Sequence, residues 1–285
     1  MRLAIVSDIH GNLPAFEAVL ADLKSQAPDQ VYFAGDLINR CPWTHEVLDL
    51  YRDLAWPGAM GNHDLILSTL NTTRSHPIFQ QRRRFPSLWW TYEQLTRAEL
   101  DLLGSLPEER TIDVPGLPRL RMVHGVPGNS FVGLYPEMPD AKMAAALVDV
   151  AEPVVICGHT HRTMDRQVGP WHIINAGSVG LPYNRDPRAQ YAILDGVDGQ
   201  WRASFRQVAY DRSLVESAFA SSGMGAEVGP ITDLFVRTAL TGEPYASDFG
   251  TWLRTQSDTT KADPNAAVAT YLRTHGPGHW AFSAG

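Results

Sequence analysis

Ala4–Asn12, AIVSDIHGN, carries an apolar run directly into Asp8 and His10. Side chains of a strand repeat every second residue, so where this run ends the two polar groups can point the same way. The same spacing returns much later, where VVICG leads into His159, Thr160 and His161. Downstream of the first run, an amphipathic stretch at 13–25, an apolar run at 30–34 and a second amphipathic stretch at 45–54 give a βαβα beginning. Short apolar runs ending in glycine-rich polar turns are what buried strands of an α/β sheet look like, and ligands of such sheets gather beyond the carboxyl ends of the strands. Three further segments follow apolar runs in the same manner: Gly35-Asp36, Gly61-Asn62-His63-Asp64 and His124-Gly125.

Each segment alone has an ordinary explanation. Asp8 with His10 can be a turn or cap pair, Asp36 a turn residue, His124 a loop histidine and Asn62 a helix cap or Asx turn. Together they place carboxylates, histidines and an asparagine at the ends of successive strands, which is the donor set of a hard or borderline metal ion.

The remainder of the chain sets the frame. After Asn62 comes a polar and aromatic segment, 65–106, read as a helical insertion or lid; it holds Arg82, Arg83, Arg84, Trp89, Trp90 and Tyr92. Arginines with aromatic rings can grip phosphates and bases, although the three-residue step from Trp89 to Tyr92 also fits core contacts on an amphipathic helix, which is the preferred reading. Strand character returns over 111–208 with one helix at 140–150. From 209 to 285 the chain reads as a C-terminal extension of about three short helices, broken at 223–229, 242–244 and 263–264.

With 285 residues, 44% hydrophobic, the chain can bury a sizeable core, and its formal charge of −7 disfavours an extended surface for non-specific duplex DNA. Asp8 and His10 interrupt the first apolar run before a signal or membrane segment is complete, so a cytoplasmic location is expected. Cys41 and Cys157 are read as reduced thiols.

In chain order the blocks DxH, GD, GNHD, H and GHTH resemble the calcineurin-like metallophosphoesterases over about residues 1–208. The tracts INAGSVGLP and DPRAQYAIL resemble the bacterial branch of small phosphodiesterases and diadenosine-tetraphosphatase-like proteins. That resemblance implies a four-layer α/β sandwich of two mixed sheets between helices, and a dinuclear phosphoesterase attacking a small nucleotide-like ester with metal-bound hydroxide. Asp8, His10 and His161 match the ligands of one metal, Asn62, His124 and His159 those of the other, and Asp36 the bridging carboxylate. Two divalent ions are expected, manganese first, with iron, zinc, cobalt or nickel also compatible with nitrogen and oxygen donors. A nuclease, a protein phosphatase and a non-catalytic scaffold are the alternatives; retention of every ligand position opposes the last.

His63 matches the family histidine beside the scissile phosphate, placed to protonate the leaving oxygen or to stabilise transition-state charge. Asp64 is either a carboxylate that orients a neighbour or a helix cap. In related protein phosphatases the second block reads GDxxDRG, its second aspartate pairing with the catalytic histidine. Here Asn39 takes that place, its amide oxygen expected to accept from His63, and Arg40 retains the arginine that meets phosphate.

Overall fold

The computed structural model describes residues 1–275. Among them nine strands form two sheets: β1 (Arg2–Val6), β2 (Gln30–Phe33), β3 (Glu109–Ile112), β4 (Leu120–Val123), β5 (Val154–Cys157), β6 (Thr163–Val168), β7 (Trp171–Ala176), β8 (Ala189–Val197) and β9 (Gln200–Val208). The first sheet has the order β2-β1-β8-β9 and the second β3-β4-β5-β7-β6. β1 runs parallel to β2, with Val6 opposite Phe33, and antiparallel to β8; in the second sheet β4, β5 and β7 are parallel.

Both faces of each sheet are covered, and the alternation in β1 shows how. Leu3 and Ile5 point into a core between the sheets, where they meet Met122, Ile156, Ile174 and Leu194. Ala4 and Val6 point outward into a second core with Phe16, Val19 and Leu48. Val123, Val155, Cys157 and Ile173 fill the outer core of the second sheet with Met143 and Leu147. Burial on two faces explains why these strands read as unbroken apolar runs, and each large side chain so buried contributes about 1.5–3 kcal/mol.

The helices are α1 (Leu13–Gln26), α2 (Thr44–Leu54), α3 (Asn62–Thr69), α4 (Pro86–Gln94), α5 (Arg97–Ser105), α6 (Asp140–Ala146), α7 (Ser213–Ser221), α8 (Met224–Val228), α9 (Ile231–Thr241), α10 (Tyr245–Arg254), α11 (Asp258–Ala262) and α12 (Pro264–Thr274). α1 begins where the Asn12 side chain accepts from Ala15 N–H, with Pro14 preset for its first turn. The result is two mixed sheets with helices outside, the four-layer sandwich expected from the resemblance.

Among the described residues the C-terminal region holds six helices rather than about three; α8 and α11, five residues each, are too short to leave a periodic signal. α7 to α9 bring Val215, Phe219, Met224 and Phe235 against Cys41, Trp90, Leu181 and Tyr183 of the preceding region. The segment 65–106 takes in the second half of α3, a 3₁₀ turn at Pro77–Gln80, α4 and α5. Its arginines are engaged by protein: Arg82 pairs with Glu93 and Arg83 with Asp263. Trp89 donates to Phe79 O and Trp90 is buried, in line with the packing interpretation. Cys41 and Cys157 are free and buried, and burial pushes both thiols up to about 12. No helix among the described residues is long and apolar enough to cross a membrane.

Candidate metal centre

The carboxyl ends of β1, β2, β4 and β5 meet at one rim, so two parallel strands from each sheet deliver their following residues to a common point. Backbone bonds lock those loops together: Asp8 N–H to Gly35 O, His10 N–H to Asp36 O, and Gly158 N–H to His124 O. The tract after β7 braces them, Ser178 donating to Asp8 O and Asn175 to Gly158 O. Asp8, His10, Asp36, Asn39, Arg40, His159 and His161 all have positive φ, between 52° and 91°. Left-handed backbone costs a non-glycine residue roughly 1–2 kcal/mol, and strain of this kind gathers at functional sites.

Hydrogen bonds settle which way the ring nitrogens face. His124 Nδ1–H donates to Ala34 O at 2.8 Å and His161 Nδ1–H to Leu181 O at 2.5 Å. Their Nε2 lone pairs therefore turn inward. His161 Nε2 lies 3.1 Å from Asp8 Oδ1 and 3.0 Å from His10 Nε2. His124 Nε2 lies 3.3 Å from Asp36 Oδ2 and 3.1 Å from Asn62 Oδ1, and His159 Nδ1 is 2.9 Å from that same amide oxygen. Asp8 Oδ2 is satisfied by Ser7 and by His159 N–H, while Asp8 Oδ1 and His10 Nδ1 are buried without a hydrogen-bond partner. Acceptors facing acceptors inside a protein are costly unless a cation sits among them. Three overlapping groups could hold a metal ion: Asp8, His10 and His161; Asp8, Asp36 and His124; and His10, Asp36 and His63. The donors present fit divalent metal.

Charge at the centre points the same way. Burial works against His124, yet Asp36 and Asp8 push its imidazole up to about 10, so this position attracts positive charge. Burial draws His63 down to about 3 and His159 to about 4, and it lowers His10 well below its ordinary value, leaving neutral rings suited to ligation. Asp36 falls well below the usual carboxylate range because its histidine neighbours outweigh burial.

Asp64 takes no place among the inward-facing donors. Its buried carboxylate accepts from the backbone N–H groups of Asp36, Leu37 and Gly61, so it ties the second loop to the start of α3. Burial and the charge of Asp36 raise it to about 6. Asp64→Ala would strand three buried donors, and urea denaturation is expected to show a loss of about 3 kcal/mol or more. Gly61 is required at that junction because a Cβ would collide with the Asp36 carboxylate.

His63 stands at the edge of the cluster, and here the structure departs from the sequence-based expectation. Asn39 presents Nδ2, not its oxygen, to His63 Nδ1 at 2.7 Å. The reason is that Asn39 Oδ1 is already taken by Arg40 N–H at 2.9 Å and Thr91 Oγ1 at 3.4 Å. A terminal N–H of Arg40 points at His63 Nε2 from 3.4 Å, so donors face both ring nitrogens, a setting that holds the imidazole neutral and lets it accept from only one of them. The Arg40 guanidinium rests over the Phe235 ring at 5.4 Å, and its Nε is buried without a partner.

Residues 1–199 match the calcineurin-like phosphoesterase superfamily domain. The chain belongs to that superfamily. A metallophosphoesterase structure from Sphaerobacter thermophilus has 29% identity and a TM-score of 0.66, covering 85% of this chain and 100% of that one. A hypothetical protein from Pyrococcus horikoshii gives 22% identity and a TM-score of 0.70 over 85% and 98% of the two chains. An uncharacterized protein of Methanocaldococcus jannaschii is 27% identical over 229 residues, 73% of this chain and 88% of its own length. A symmetrical bis(5'-nucleosyl)-tetraphosphatase of Thioalkalivibrio sulfidiphilus is 29% identical over 210 residues, 69% and 70% of the two chains. This phosphoesterase is therefore a metal-dependent enzyme of that class.

Three contributors at the site left no readable signal. Tyr183 stacks on His161 with centroids 4.2 Å apart, Thr91 fixes the Asn39 amide, and Phe235 carries Arg40 from beyond the matched region.

Proposed function

We propose that this phosphoesterase hydrolyses a small nucleotide-like phosphate ester at a dinuclear centre, with Asp8, His10 and His161 holding one divalent ion, Asn62, His124 and His159 the other, and Asp36 shared. The observation that carries the reading is the inward convergence of Asp8, His10, Asp36, Asn62, His124, His159 and His161, with Asp8 Oδ1 buried among them and left without a hydrogen-bond partner. Nitrogen and oxygen donors without thiolate suit manganese, and also iron, zinc, cobalt or nickel. When bound, such ions supply an acidified water as nucleophile and a clamp on phosphoryl oxygens. No serine or cysteine nucleophile is then needed.

The chain's own groups do the rest. Asp36 Oδ1 accepts from His63 N–H at 2.8 Å, which fixes the start of α3 and the His63 ring relative to the shared carboxylate. The His63 ring and the Arg40 guanidinium, in contact with each other, form a polar pair beforehand that can meet a phosphoryl oxygen where negative charge grows in the transition state. Likeness to a bis(5'-nucleosyl)-tetraphosphatase supports a nucleotide ester as substrate.

The test is turnover of bis-p-nitrophenyl phosphate and p-nitrophenyl phosphate with manganese, after chelation, and after manganese is restored. Chelation is expected to abolish hydrolysis of at least one ester and manganese to restore it. Full turnover in chelator would overturn the metal-dependent reading; activity on the monoester alone would reassign the substrate to phosphomonoesters.

A further inference from the structure

We infer that the cleft beside His124 carries a subsite for the nucleobase of the substrate, with Phe131 as its stacking face. The inference rests on the phosphoester reading of the centre and names what the ester carries. Scattered exposed apolar residues are ordinary, whereas a cluster next to a reactive centre marks a binding surface. Phe131, Val132 and Tyr135 are 44%, 45% and 38% exposed, and all three fall in one five-residue stretch that follows His124.

That stretch is braced rather than loose. Val126 and Asn129 exchange backbone bonds at 3.1 and 2.9 Å, and Asn129 Oδ1 accepts from Phe131 N–H at 2.9 Å. Gly133 lies so close to His159 and Thr160 that a Cβ there would meet both side chains, so the stretch sits against the loop that supplies two of the ligand histidines. The Phe131 ring is nearly parallel to Phe79, 18° between planes and 6.1 Å between centroids, which holds its orientation from behind. A cavity of about 130 Å³ opens beside it, bounded by Met60, Leu65, Phe131 and His124 and, on its acidic side, by Glu108 and Glu109. Pockets that enclose an entire drug-sized ligand measure about 300–1,000 Å³, so this one takes a single ring system. Asn129 and Ser130 at its border provide polar atoms for the ring edge. A flat aromatic group stacked there would lie beside His124, the one residue of the centre that also lines the cavity.

Binding to the manganese-loaded protein, measured by calorimetry with AMP, ribose 5-phosphate and inorganic phosphate, tests the subsite without relying on turnover. Base–aromatic stacking predicts AMP binding about 5–100-fold tighter than ribose 5-phosphate. Phe131→Ala should close that gap while leaving inorganic phosphate affinity and the melting temperature unchanged, and Phe131→Trp should keep it. Equal binding of AMP and ribose 5-phosphate by the wild type, or a gap that survives Phe131→Ala, would overturn the subsite. Failure of all three probes to bind would instead sink the phosphoester reading and the subsite with it.

Discussion

Replacing Asp36 with alanine is expected to empty the centre of metal and to lower turnover by about 10³-fold or more, since the Lewis-acid contribution of bound metal is worth several kcal/mol. The carboxylate faces both clusters: its Oδ2 lies 3.6 Å from His10 Nε2 and 3.3 Å from His124 Nε2. Without it, ions on the two sides would face each other with no negative charge between them. Asp36→Ala also removes the bond from His63 N–H to Oδ1, so a structural defect could imitate a metal defect. Asp36→Asn separates the two, because an amide oxygen can keep that bond while the charge is gone. Both variants should lose metal by elemental analysis, and Asp36→Asn should retain the wild-type melting behaviour of the metal-free protein. An anomalous-scattering map of metal-soaked wild-type crystals should show two peaks with Asp36 touching each. Near-normal turnover in Asp36→Ala, or a single peak away from Asp36, would sink the shared-carboxylate proposal.

Much of this architecture was legible because two faces of the central strands are buried. β1, β4 and β5 show as apolar runs, and the polar residues that end them stand out against that background. β3 and β6 escaped for the converse reason. Each is the edge of its sheet, and TMDRQV carries exposed polar side chains, as an edge strand that discourages further pairing does. At the site, spacing along the chain revealed the inward-facing donors, but not contacts made across it. Tyr183 reaches His161 from the loop after β7, and Phe235 reaches Arg40 from α9; neither position differs in pattern from an ordinary core aromatic. The orientation of the Asn39 amide was likewise hidden. Residue type permits either end to face His63, and only the competing demands of Arg40 N–H and Thr91 on Oδ1 decide it.

That orientation leads to the second large effect. His63→Asn is expected to retain metal, since none of Asp8, His10, Asp36, Asn62, His124, His159 and His161 is altered, and to lower turnover by about 10²–10³-fold, the usual cost of one preorganised donor to developing charge. A general acid and a charge-stabilising donor predict different dependence on the leaving group. An acid helps most when the departing alkoxide is strongly basic, so its removal would barely affect a nitrophenyl ester and cost about 10²–10⁴-fold on an alkyl or nucleoside ester. A donor to a non-leaving phosphoryl oxygen serves both alike. Donors of Asn39 and Arg40 face the two ring nitrogens and no carboxylate backs the ring, so His63 meets the substrate as a neutral imidazole rather than as an imidazolium acid. The expected result is therefore a similar loss on a nitrophenyl diester and on a nucleoside diester. Asn39→Asp adds the complementary arm: a carboxylate at that position can accept from Nδ1–H and stabilise the imidazolium, which should shift His63 toward acid catalysis and improve poor leaving groups relative to good ones. A His63→Asn defect confined to poor leaving groups would refute the donor assignment and restore the acid.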